Sequence, residues 1–136
     1  MSEVTDTPIL LTVFSRPETT RRVFEAVRAV RPRHLFVAAD GPRTGRRDDL
    51  KKTYDVRAIF REIDWPCSLH TRFRDTNLGV RHGMIDALNW FFSTVERGIV
   101  LEDDCLPHQS FFPFASELLE RYAGDSRVGM VSGNNW

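Results

Sequence analysis

Two rhythms of apolar and polar positions alternate along this chain. Short unbroken apolar runs recur, and after each of the early ones apolar residues return every three or four positions. Pro8 to Phe14 is the first such run and reads as a central strand buried on both faces. A helix follows at once: Ser15 with Glu18 fits a capping box, Pro17 suits a first turn, and Val23, Phe24, Val27 and Val30 share a face until Pro32 stops the pattern. His34 to Ala39 predicts a second strand, closed by the turn signal Asp40-Gly41-Pro42. Arg43 to Asp49 reads as a mobile polar loop. The next helix, from about Asp48 to Ile63, should turn Leu50, Tyr54, Phe60 and Ile63 inward before Trp65-Pro66 closes it. Ser68 to Phe73 alternates polar and apolar residues, the pattern of a less buried strand toward a sheet edge.

Arg74 to Gly79 is rich in turn formers, and Val80, Met84, Leu88, Phe91 and Val95 then mark a long amphipathic helix. That helix leads into Gly98-Ile99-Val100-Leu101-Glu102-Asp103-Asp104, a short apolar strand that ends in three acids. Pro107 breaks the backbone, Ser110 can cap a helix through Tyr122 with Pro113 in its first turn, and Val128 to Ser132 predicts a last strand. Strands alternating with helices define an α/β fold: a mostly parallel sheet flanked by helices, with right-handed crossovers. No repeat or shift of composition divides the chain, so residues 8–136 read as one domain after a flexible polar lead-in, 1–7. Because Gly133-Asn134-Asn135-Trp136 comes just past a predicted core strand, the expectation is a larger fold cut short.

Composition narrows the function classes. The 136 residues suffice for one sizeable core, and 19 basic against 19 acidic side chains imply neither a nucleic-acid nor a membrane partner. Arginine supplies nearly all of the positive charge, with a local cluster at Arg43, Arg46 and Arg47 that suits phosphate contacts. Cys67 and Cys105 match no metal or redox spacing and read as two reduced core thiols. Met1 to Thr7 has no apolar core of a signal peptide and no stretch is long enough to span a bilayer, which makes a cytoplasmic location the expectation.

The acids at the end of the Gly98 strand carry the strongest chemical signal. Adjacent carboxylates at a strand end repel one another unless a cation or donor groups compensate, so either a divalent ion sits there or the acids cap local amides. Mg²⁺ or Mn²⁺ held by few carboxylates fills its shell with water and phosphate oxygens, which points to a nucleotide diphosphate. Arg16, at the turn after the first strand, is a candidate phosphate or base contact, or else a solvated first-turn arginine. Asp40 either accepts from a base N–H or forms an Asx turn with Gly41. Arg81, at the start of the long helix, is a further phosphate candidate, with His82 ranked below it. The Phe91-Phe92 and Phe111-Phe112 pairs read as core. Neither a dinucleotide Gly-x-Gly-x-x-Gly nor a P-loop is present, and no cysteine or serine sits in a nucleophile elbow.

With acids after the fourth strand, Ser15-Arg16 after the first and Asp40-Gly41 after the second, the sequence resembles a glycosyltransferase of the GT-A type from Pro8 to Trp136. It is similar to the Glu-Asp-Asp variety of N-acetylglucosaminyltransferase I, and more so to bacterial haemolytic-protein-like sugar transferases. Ile99 to Asp104, Pro107 and Phe111-Phe112 carry most of the match. The resemblance implies the Rossmann-like, nucleotide-binding half of that fold, with a UDP-sugar as donor and Mn²⁺ or Mg²⁺ as cofactor. It also implies that Asp104 binds the metal, Glu102 acts through metal-bound water, Asp103 reaches the ribose, Arg16 contacts the nucleotide and Asp40 the uracil edge. Phe14 and Arg81 complete the implied donor site. The acceptor would be a glycan, lipid or protein, and the catalytic base would follow Trp136.

Two other classes compete. A non-catalytic nucleotide-binding module would keep the fold without an acceptor site. A sugar-phosphate nucleotidyltransferase would need a Gly-rich, Arg-bearing loop where Phe14-Ser15-Arg16-Pro17 stands. A phosphoacceptor receiver domain is excluded by its acid positions, after the first and third strands, and by its lysine after the fifth.

Overall fold

The computed structural model describes residues 5–133. Its elements are β1 (Ile9–Val13), α1 (Pro17–Val30), β2 (His34–Ala39), α2 (Arg47–Ile59) with a 3₁₀ turn (Phe60–Glu62), β3 (Ser68–Phe73), α3 (Gly79–Thr94), β4 (Ile99–Glu102) and α4 (Phe111–Arg121). The four strands form one sheet in the order β3-β2-β1-β4, and every pairing is parallel. The α/β class read from the apolar rhythm therefore stands, and β3 lies at an edge as its alternation predicts.

Alternate residues of the central strands feed two cores. Ile9, Leu11 and Val13 of β1 pack on one face with Val23, Phe24, Val27, Val56, Phe60 and Phe112, so α1, α2 and α4 cover that side. Leu10, Phe36 and Ala38 face the other side, where α3 supplies Ala87 and Phe91. This division follows from the period-two geometry of a strand covered by helices on both faces.

Several local expectations are corrected. Residues 128–132 form no strand: no ladder joins them to β4, and Met130 is 86% exposed. A strand needs a hydrogen-bonded neighbour, and β4 lacks one on its outer side among the described residues. Asn134-Asn135-Trp136 lies outside the described residues. Ser15 does not cap α1: Arg16 occupies the cap position without a side-chain bond, and Pro17, at the first helical position, has no N–H to leave without a partner. Nor does the Ser110 side chain cap α4; its hydroxyl lies 2.9 Å from Nδ1 of His108. Leu50 and Tyr54 of α2 point to solvent, 65% and 60% exposed, while Asp49, Thr53, Val56 and Ile59 turn inward. The helix is rotated because Asp49 is buried in an ion pair with Arg43 and the Thr53 hydroxyl donates to the Asp49 carbonyl. In α3, Val80 is 87% exposed, and Gly83, Ala87 and Phe91 form the buried face. Small residues there let the helix lie close to the sheet.

The loop after β2, read as mobile, is fastened by Arg43, which donates to Asp49 through its backbone N–H (2.9 Å), Nε (2.8 Å) and Nη2 (3.0 Å). Of the polar lead-in, Thr5 is bonded to Val30 and Arg33 through the backbone, and the Thr7 hydroxyl meets Ser116 at 2.7 Å. Both cysteines are free, but only Cys67 packs against the core; Cys105 is exposed. Phe91 and Phe112 are fully buried as expected, whereas Phe92 is 47% exposed because it follows Phe91 around the helix and faces away.

Candidate functional site

In a parallel sheet every carboxyl end lies on one edge, so the residues that follow β1, β2 and β4 meet there. The chain moves from β1 outward to β2 and β3, then returns to place β4 on the other side of β1. The strand order therefore reverses between β1 and β4, the place where open α/β sheets bind ligands. A cleft of about 230 Å³ lies at that edge. Phe14, Arg16, Asp40, Glu102, Asp103 and Asp104 all line it, together with the α3 face carrying Gly79, Gly83 and Met84. A larger hollow of about 920 Å³, lined by Thr7, Val30, Gln109 and Ser116, lies at the amino ends of the strands, the wrong edge for a ligand of this fold class.

The three acids differ in setting. Glu102 and Asp104 are exposed, whereas Asp103 is almost fully buried. Burial pushes the Asp103 carboxyl above the usual carboxylate range; Arg16 and the Phe14 N–H oppose this, and the neighbouring Asp104 and Glu102 add to it. Arg16 reaches Asp104 at 3.5 Å, with both side chains at least half exposed, so this ion pair is weak and open to exchange for a ligand. Glu102, Asp104 and Cys105 each present one donor atom within 4.8 Å of the others. The Cys105 thiol lies 3.6 Å from Oδ1 of Asp104 and 4.0 Å from Oε2 of Glu102; although the residue as a whole is exposed, partial desolvation of the sulfur, followed by the Asp104 charge, pushes its pKa up.

Asp40 is occupied. Its Oδ1 accepts from the Gly41 N–H (2.9 Å) and the Leu78 N–H (2.9 Å); its Oδ2 accepts from Asn77 Nδ2 (3.2 Å) and the Gly79 N–H (3.2 Å). No Asx turn forms, because the residue two positions on is Pro42, which has no N–H; the side chain bonds the Gly41 N–H instead, and the same carboxylate satisfies amides at the start of α3 that a helix leaves without partners. Gly79 opens the helix at φ +82°, a conformation that favours glycine. Gly41 is needed for space, since a Cβ there would lie 2.5 Å from the Thr76 backbone.

Phe14 carries the Arg43 guanidinium 5.5 Å from its ring centre, so the loop after β2 covers one side of the site. Arg81 and His82 are exposed on the first turn of α3 and stand outside the cleft lining, where Gly79, Val80 and Gly83 face it instead. Arg74 also lines the cleft and was not singled out by the sequence reading. It is the first residue after β3, the position equivalent to Phe14 and Asp40, and that equivalence was the available signal. Its Nη2 donates to the Gly83 carbonyl at 2.9 Å and to Asp86 at 2.9 Å.

Two of these ion pairs make the fold acid-sensitive. Arg43 holds the Asp49 carboxyl down at about 2, and Arg72, with Arg74 behind it, does the same to Asp86, each from an ordinary value of 3.8. Their folded-state pKa values are depressed, so their stabilisation is complete above about pH 4 and is lost as pH falls through about 2. Urea midpoints measured from pH 5 to pH 2 are expected to fall over this window, and Asp86→Asn should flatten the fall. A profile identical in wild type and variant would remove Asp86 from the account.

Among the described residues no helix is long and apolar enough to cross a membrane. No family model, curated protein or solved structure matches the chain.

Proposed function

We propose that the cleft binds the nucleotide-diphosphate part of a sugar donor, a UDP-sugar, together with Mn²⁺ or Mg²⁺, and that the chain is the donor-binding portion of a metal-dependent glycosyltransferase. The observation that carries this reading is the meeting of Glu102, Asp103 and Asp104 with Arg16 at the sheet's switch point. The hard dication is supported by the carboxylates of the group: Glu102 and Asp104 are exposed with oxygens in mutual reach and the Cys105 thiol beside them, next to a buried third acid whose charge a cation would compensate. Asp104 would be the direct ligand, Glu102 would act through bound water, and Asp103 would meet the ribose. Held by these residues, an ion would supply the positive charge that offsets a diphosphate leaving group as the sugar–phosphate bond breaks.

The chain's own groups divide the remaining work. Arg16, exposed and paired only weakly with Asp104, would exchange that pair for phosphate oxygens. Phe14, backed by Arg43, offers a ring face to a base. Asp40 reads the uracil edge in this scheme, and a base N–H would compete with its two 3.2 Å donors, Asn77 and Gly79. Arg81, exposed beside the cleft, would meet only those parts of a donor that extend beyond it.

Calorimetric titration of UDP into the chain is the test. Binding is expected with Mn²⁺ and not with EDTA, and Asp104→Ala should weaken it at least about tenfold, as loss of metal-site partners does. A folded chain that binds UDP equally in Mn²⁺ and EDTA, or not at all, would overturn the reading.

A further inference from the structure

Arg57 is a cation without a carboxylate. It lies on α2 beneath the ends of β2 and β3, half-buried, and no acidic side chain stands within ion-pair distance of it among the described residues. Its Nη2 donates instead to two backbone carbonyls, that of Arg74 at 2.6 Å and that of Asp40 at 3.3 Å. Its guanidinium stands 5.0 Å from the centre of the Phe73 ring, and its Nε is buried with no hydrogen-bond partner. Burial outweighs the attraction of Asp75 and Asp40 and lowers its pKa. Removing a charge from water in this way is unfavourable unless what it binds compensates. A methionine of similar length would cover Phe73 without that cost, so the compensation lies in the two carbonyls.

Those carbonyls belong to the residues just past the last rungs of the β2–β3 ladder, where Ala39 pairs with Phe73. Beyond that point the strands are joined by one further backbone bond, from the Arg74 N–H to the Ala39 carbonyl at 3.0 Å. Asp40 and Arg74 also line the cleft from this side, with Ala38 of β2. Asp40 in turn holds the Leu78 and Gly79 amides, and Arg74 holds the Gly83 carbonyl, so both reach α3.

We propose that Arg57 is a positioning residue for the donor site: it ties the ends of β2 and β3 together, fixes Asp40 and Arg74 relative to each other, and through them sets α3 against the cleft. Its effect on ligand binding rests on the donor-site reading above, whereas its hold on α3 does not.

The test uses Arg57→Met, Arg57→Lys and, as a control for general loss of stability, Val56→Ala, a fully buried neighbour outside the site. Two quantities are measured: amide hydrogen exchange at Leu78 and Gly79 without ligand, and UDP affinity with Mn²⁺. Arg57→Met is expected to speed exchange at both amides about tenfold and to weaken UDP about tenfold, the scale of losing a charge-assisted hydrogen bond. Guanidinium ion at low concentration should restore part of each. Arg57→Lys, which keeps the charge but cannot span both carbonyls, should fall between; it decides the matter if the methionine variant does not fold. Val56→Ala should leave both readouts unchanged. Unaltered exchange at Leu78 and Gly79 in a folded Arg57 variant would overturn the proposal, as would a matching change in Val56→Ala. Faster exchange in a chain whose wild type binds no UDP would support Arg57's hold on α3 and overturn the donor-site reading instead.

Discussion

Phe24→Ala is expected to lower the stability of the folded chain by about 3–5 kcal/mol, the range for emptying a phenylalanine site in a close-packed core. Phe24 is fully buried on α1 and meets Phe60 edge-on at 5.6 Å and Trp65 at 6.1 Å. It thus joins α1 to the 3₁₀ turn after α2 and to the segment leading into β3. Arg28 lies over the same ring at 5.0 Å, so truncation also removes a cation–π contact. A domain of this size is stable by only about 5–15 kcal/mol, and the variant would lose a large share of that. Urea unfolding at unchanged slope measures it. Phe24→Leu should recover much of the loss, and Phe114→Ala, at a site 49% exposed, should be close to neutral. A loss under about 1 kcal/mol for Phe24→Ala would mean that α1 is not held to the sheet through this ring.

The second large effect is at Asp40. Four donors now converge on this carboxylate, and Asp40→Ala strands three of them, the Gly41, Leu78 and Gly79 amides, while Asn77 Nδ2 keeps its bond to the Gly41 carbonyl at 2.9 Å. Removing a helix cap costs about 1 kcal/mol and hydrogen bonds to a charged group somewhat more each, so a total of about 2–3 kcal/mol is expected, with Asp40→Asn between variant and wild type. Asp104→Ala supplies the contrast. Its carboxylate is half exposed and makes one weak ion pair, so its stability should stay within about 0.5 kcal/mol of wild type while its metal-dependent ligand binding falls. If Asp40→Ala unfolded at the wild-type urea midpoint, Asp40 would have no structural role and its carboxylate would be free for a ligand. The two substitutions separate an acid whose loss also weakens the fold from one whose loss affects ligand binding alone.

Most of the architecture is legible in local pattern. β1, β2 and β4 are apolar runs because both faces of a covered parallel sheet are buried, and that signal needs no knowledge of partners. Alternation of strand and helix then dictates parallel pairing, which brings Phe14, Asp40 and the Glu102 to Asp104 acids to one edge. Val128 to Ser132 shows the limit of this logic. Its apolar content resembles that of β4, but a strand exists only where a neighbour accepts its ladder, and composition does not report that.

Residue pattern by itself determined the α/β class, the order of the elements, the edge location of β3 and the gathering of acids and Arg16 at the carboxyl edge. Each of these follows from periodicity and chain direction, which are local properties. Only the tertiary structure decided the rotation of α2, the exposure of Val80 and Cys105, the four donors around Asp40, and the parts played by Arg57 and Arg74. Those depend on groups that lie far away along the chain, such as Asp40 and Gly79, 39 positions apart. Contacts of that kind are chosen by packing and by the need to satisfy buried donors and charges, and no hydrophobic rhythm encodes them.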